Sequence, residues 1–154
     1  MRKNIQTVRN IDLIEEELNS SIAGIVSFYS KEEKVIQLAV TFIYLDKNIY
    51  ISLQNEEELT EKINFDIKAN FALLKNTSAK QSKSNKAKNI YKFFSVNIIG
   101  NLRKVDDQKL KEEFLRQYIL KYNLEENDDK DMKLLKNVYI IDTEEIQAFE
   151  ETGN

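Results

Sequence analysis

The 154-residue chain has no cysteine, histidine, proline or tryptophan, and only three glycines. Each absence removes a class of chemistry. Without cysteine there can be no disulfide, thiolate nucleophile or thiolate metal site. Without histidine the commonest general base and the commonest metal ligand are gone. A triad hydrolase and a histidine-dependent zinc enzyme are thereby excluded. Catalysis would have to come from carboxylates, lysines, tyrosines, hydroxyls or a cofactor that carries its own chemistry. No apolar run approaches the roughly 20 residues of a membrane span. The stretch "MRKNIQTVRNIDLIEEEL" has no apolar signal-peptide centre. The expectation is one cytoplasmic domain over residues 1–154, with no membrane partner.

What is present is ordinary in kind and uneven in placement. Apolar residues make up 42% and charged residues 32%, as in a globular protein with a single core. The formal net charge is −3, yet no carboxylate occurs from Ile67 to Val105. That stretch carries Lys68, Lys75, Lys80, Lys83, Lys86, Lys88, Lys92, Arg103 and Lys104. A basic band between acidic ends is a candidate contact for an anionic ligand.

Periodicity supplies the elements. Ile11, Ile14 and Leu18 mark a short amphipathic helix. "SSIAGIVSFYS" reads as a strand, with Gly24 at a bend or close approach. "KVIQLAVTFIYL" reads as a strand with two largely buried faces: Ile36, Leu38, Val40, Phe42 and Tyr44 against Gln37, Ala39, Thr41 and Ile43. A turn at Asp46–Asn48 leads to a strand alternating Ile49, Ile51 and Leu53. "QNEEELTEKI" predicts a helix capped by Asn55, with Glu58 completing a capping box. "IKANFALLK" and "IYKFFSVNIIGNLRKV" read as strands. A helix over 106–122 carries the stripe Leu110, Phe114, Leu115, Tyr118, Ile119 and Tyr122. "LEENDDKDMK" reads as an acidic surface connection, since it lacks a calcium loop's glycine and spacing. "NVYIIDTEEIQAF" reads as a strand, a turn at Asp142–Glu145 and a short closing strand. Short turns favour antiparallel pairing. The fold class is therefore mainly β with flanking helices, an antiparallel barrel closed or partly closed.

In "SIAGIVSFYSKEEKVIQLAVTF", "NIYISLQNEEELTEKINFDIKANFALL", "FFSVNIIGNLRKV" and "LKEEFLRQYILKYN…VYIIDTEEIQAF", the chain resembles the FMN-binding split-barrel family. That family includes pyridoxamine 5′-phosphate oxidases, small flavin reductases and nitroimidazole-resistance-type proteins. The resemblance covers most of residues 11–149. It implies a homodimer with FMN in a groove between the chains, acting as an oxidoreductase on a small molecule, with no catalytic side-chain base. It further implies that Gln37, Leu38 and Ala39 run beside the flavin ring. Ser52 would match a polar position ending the third strand, and Ser95 one offered by the partner chain. The chain departs from the family where a phosphate would sit, placing Glu56, Glu57 and Glu58 there. Lys62 and Lys75 are the nearest substitute cations by sequence.

Blander readings stand beside these. Gln37, Ser52 and Ser95 also suit ordinary hydrogen-bonded barrel positions. Tyr118 and Tyr122 suit a core or dimer interface. The lysine-rich segment "KNTSAKQSKSNKAKNIYKFF" reads as a solvated loop, as an anion contact, or least readily as a nucleic-acid platform using Tyr91, Phe93 and Phe94. A cofactor-free barrel serving as a binding module is the alternative function, and a nucleic-acid-binding barrel the third.

Overall fold

A computed structural model describes residues 2–53, 63, 66–76 and 91–153. All of the expected helix at 54–63 except Ile63, including Asn55, Glu56, Glu57, Glu58 and Lys62, and the lysines from Lys80 to Lys88, lie outside the described residues.

Among the described residues, eight strands and three helices follow in the order β1 (Lys3–Thr7), α1 (Ile11–Ser20), β2 (Ala23–Tyr29), β3 (Val35–Thr41), β4 (Ile43–Leu45), β5 (Asn48–Ser52), β6 (Ile67–Asn76), β7 (Tyr91–Lys104), α2 (Gln108–Tyr122), α3 (Asp128–Lys136) and β8 (Val138–Gly153). All pairings are antiparallel, in the spatial order β3-β2-β6-β7-β8-β5-β4, with β1 added on β8. The two ends of that order, β3 and β4, are joined in sequence by Phe42 alone. A flat sheet cannot satisfy this connection, so the sheet curls into a split barrel.

The two-residue alternation of strands fixes what faces inward. Val26 and Phe28 of β2, Ala69, Phe71 and Leu73 of β6, and Phe94, Val96, Ile98 and Leu102 of β7 fill the barrel. Ile14 and Leu18 of α1 join this core. At its centre Phe42 and Phe71 meet edge to face, with centroids 4.7 Å apart. A smaller cluster forms outside the barrel wall. There Ile43, Tyr50, Val138 and Ile140 are covered by Phe114 and Tyr118 of α2 and by Leu135 of α3.

Four sequence expectations change. The segment before Asn10, left unassigned by periodicity, forms β1, which pairs with β8 over Lys3–Thr7 although all five residues are exposed. The second face of the β3 segment is not buried: Gln37, Ala39 and Thr41 are exposed, and the strand breaks at Phe42. The acidic connection forms α3, where Asn127 caps the backbone N–H of Lys130 and Leu134 is buried. The turn at Asp142–Glu145 is a bulge inside one sixteen-residue strand. Ile99 pairs with Glu145 while Gly100 pairs with Thr143, leaving Glu144 extra.

That bulge explains Gly100. A Cβ built there would lie 2.1 Å from the Asp142 carbonyl oxygen. Gly100→Ala is therefore expected to destabilise the protein by about 1–3 kcal/mol. Urea unfolding would show this as a lower midpoint with an unchanged m-value.

Candidate functional site

Helices α2 and α3 cover only the part of the exterior formed by β4, β5 and the start of β8. Apart from Thr41 at the end of β3, which meets Tyr118 of α2, the outward residues of β3, β2, β6 and the middle of β7 and β8 show no contact with a described helix. Register sets them in rows across the strands. Ala39, Ile25, Ala72, Asn97 and Gln147 form one row. Gln37, Ser27, Asn70, Ile99 and Glu145 form the next. Leu74, Ser95 and Phe149 lie beyond the first row. Ile25, Tyr29, Val35 and Leu74 are exposed here, at 41%, 58%, 62% and 65%. Four sizeable apolar groups on one sheet face are more than scattered surface residues.

The face is sorted by charge. Apart from Glu145 at the β8 edge, its middle is small and neutral, with alanines as the floor and amides and hydroxyls as hydrogen-bonding groups. Gln37 Nε2 donates to Ser27 Oγ at 3.3 Å. Ion pairs flank it on both sides. At one end Lys68 pairs with Glu144, which also accepts from Asn101, and Arg103 meets Asp142 at 3.1 Å. At the other end Lys3 meets Glu151 at 3.1 Å, while Lys92 and Glu150, on the inward alternation of Phe94 and Ala148, pair at 3.3 Å behind this face. The hydrogen bond from Lys68 holds the Glu144 carboxyl below its usual range. The described part of the basic band is thus largely matched by carboxylates, most of them on β8, and an uncharged strip lies between the paired groups.

The expected site residues separate by face. Gln37, Ala39 and Ser95 share the bare face, although Ser95 lies on β7, three strands from β3 in the sheet order. Leu38 packs its side chain toward the barrel core. Lys75 shares the alternation of Leu73, the inward set, and its ammonium meets Glu17 of α1 at 2.8 Å. Ser52 is taken up by packing: its hydroxyl donates to the Leu134 carbonyl of α3 at 2.7 Å. Lys62 lies outside the described residues. Of the aromatic platform, Tyr91 and Phe93 stack at 5.8 Å, while Phe94 is buried in the core.

Sequence reasoning missed Ser27, Asn70, Asn97 and Gln147, each an uncharged polar residue at an outward position between apolar inward neighbours. That alternation was the signal available. It also missed a hollow of about 440 Å³ beside this face, where β1 runs into α1. Ile11, Ile14, Ile146 and Phe149 line it, with Arg9 exposed at its rim.

No family model matches the chain, and no curated protein matches it in sequence. Solved structures do match in fold. A protein from Bacteroides thetaiotaomicron described as a candidate 5-nitroimidazole antibiotic resistance protein superposes with a TM-score of 0.69 at 15% identity, covering 100% of this chain and 93% of that one. An FAD-binding protein from Mesorhizobium loti gives 0.63 at 12%, over 95% and 97%. A Corynebacterium glutamicum protein assigned as a pyridoxamine 5′-phosphate oxidase gives 0.58 at 19%, over 96% and 98%. At such identities the likeness shows the fold, a split barrel of the kind found among flavin-binding and pyridoxamine 5′-phosphate oxidase-like proteins.

Because Ser52 is engaged by α3, Ser52→Ala is expected to lower stability by about 1 kcal/mol. Parallel urea melts of the two proteins would check this.

Proposed function

We propose that two copies of this chain pack across the bare face, and that the seam between them holds the ring of a flavin, FMN in the first instance, for an oxidoreductase reaction on a small molecule. The carrying observation is the neutral strip of Ala39, Ile25, Ala72, Gln37, Asn70 and Asn97, bounded by ion pairs on either side. Flat alkyl floor suits a ring face, and side-chain amides suit the ring's carbonyl and imide edge. The flavin-binding solved relatives support the same reading.

The flavin, when bound, supplies electron or hydride transfer, which a chain without histidine or cysteine does not itself provide. The chain's own residues bind and orient. Gln37, Ser27, Asn70 and Asn97 would fix the ring edge. Ile25, Tyr29, Val35 and Leu74 would exclude water from the seam. For the phosphate, Lys75 is drawn away by Glu17, which leaves Arg9 at the adjoining hollow and Lys62 as the cations to test.

The neutralisation of Lys68, Lys75, Lys92 and Arg103 by carboxylates favours one second reading, a barrel that dimerises without a phosphate-bearing cofactor. The same matching disfavours nucleic acid, whose phosphates require unpaired cations.

FMN titration followed by quenching of flavin fluorescence, with light scattering for mass, decides between them. The flavin reading expects saturable binding by a dimer. Ala39→Arg, which places a charged chain on the floor, is expected to weaken binding by about tenfold or more, equivalent to about 1.4 kcal/mol. It should also shift the protein toward monomer. A dimer indifferent to FMN and FAD would leave the second reading, and a wild-type monomer would remove both.

A further inference from the structure

A second hollow, of about 320 Å³, lies against the C-terminal half of α2. Asn19, Ile43, Tyr44, Gln117, Leu120 and Lys121 line it, and it shares no lining residue with the bare face or the hollow near Arg9. Three observations meet here. First, Lys121 has no carboxylate within ion-pair distance among the described residues. Its nitrogen is held instead by main-chain carbonyls, Phe42 at 3.0 Å and Leu18 at 3.4 Å, and sits 3.7 Å from the Phe42 ring centroid. Second, Tyr44 is only 8% exposed, and its buried hydroxyl makes no well-formed hydrogen bond among the described residues, the Glu15 carboxylate offering only a loose one. Orphaned buried hydroxyls are uncommon and point to a missing group. Third, burial pushes the Lys121 amine down to about 8.

A half-buried ammonium that ties main-chain carbonyls without a counter-charge loses proton affinity, and desolvated lysines are the ones that react with carbonyls. We infer that this hollow binds a small neutral carbonyl compound, an aldehyde or ketone, which the Lys121 amine captures reversibly as an imine. Neutrality is favoured because Glu15 of α1 lies near enough to help hold the Tyr44 phenol up; with burial as the larger cause, it reaches about 12. An anion would meet that carboxylate. The other ionisable groups around the amine are Tyr44 of β4 and Tyr122 of its own helix. Glu113, about two turns earlier on that helix, is engaged by Arg116.

The uncharged amine has two N–H groups for the two carbonyls and one lone pair for attack. The lone pair forms a bond to the carbonyl carbon, and the C=O π pair moves to oxygen. Tyr44 donates a hydrogen bond to that oxygen, which takes up the proton released by nitrogen. A proton from solvent then lets the hydroxyl leave as water, and the nitrogen lone pair closes the C=N bond while nitrogen keeps its remaining hydrogen, with no net oxidation or reduction. The protonated imine keeps one N–H for the Phe42 carbonyl and gives up the longer contact to Leu18.

The test uses the full chain, propionaldehyde and cyanoborohydride near neutral pH, with peptide mapping of the propylated lysines over time. An amine near 8 is about 300-fold more deprotonated than an ordinary lysine, and its lower basicity trims this to about 20-fold in rate. Lys121 is therefore expected to label about 20-fold faster than the surface lysines. Labelling of Lys121 no faster than Lys31, Lys47 or Lys130 would overturn the inference, and this needs no variant. In Tyr44→Phe, the Lys121 rate should fall severalfold while the surface lysines keep theirs; an unchanged Lys121 rate would overturn the hollow as the binding site. Neither result depends on flavin.

Discussion

Phe42 is a one-residue connection between strands at opposite ends of the sheet order, and the rest of the structure answers to it. A residue that leaves one ladder before joining the next has backbone groups with no strand partner, and burial makes leaving them unpaired expensive. Here α2 supplies the partners. The Tyr122 hydroxyl accepts from the Phe42 N–H at 3.0 Å and donates to Ile22 O at 2.6 Å, while Lys121 donates to Phe42 O. Tyr118 reaches the Thr41 hydroxyl at 2.8 Å. The helix thus works as a clamp on the closure point as well as a cover for Ile43 and Tyr50. The lysine in that clamp is also the one left without a counter-charge.

Placing the clamp on one flank leaves the other flank open. Two helices suffice for the wall around β4 and β5, and the remaining wall keeps apolar groups in view. The charge pattern of that wall comes from the register of β8 against β6 and β7. It gathers opposite charges at the ends of the strands and leaves the middle to alanine and amides.

Much of the barrel was legible because inward strand positions are apolar almost without exception, as in the alternation of Phe94, Val96 and Ile98 in β7. The rest depended on information that no local window holds. β1 carries one apolar residue in five and exists only because β8 offers an edge. α3 looked like a loop because its first turn is nearly all carboxylate; the cap at Asn127 and the single buried Leu134 were the only cues. Glu144 read as part of a turn because a bulge and a turn use the same polar residues. Of the expected site, Gln37, Ala39 and Ser95 fell on one face because their alternation was visible. Lys75 and Ser52 were drawn elsewhere by Glu17 and Leu134, partners 58 and 82 positions away in sequence.

β8 follows every other described strand in the chain, yet it pairs with three of them: β7 along nearly its whole length, β5 near its start and β1 near its end. During synthesis, the earlier strands therefore emerge with their long central edge unoccupied. Until the final segment leaves the ribosome, β7 presents fourteen residues of open hydrogen-bonding edge. Such an edge is prone to pair with other chains, so a nascent polypeptide stalled before Val138 would expose an aggregation surface that the finished protein conceals.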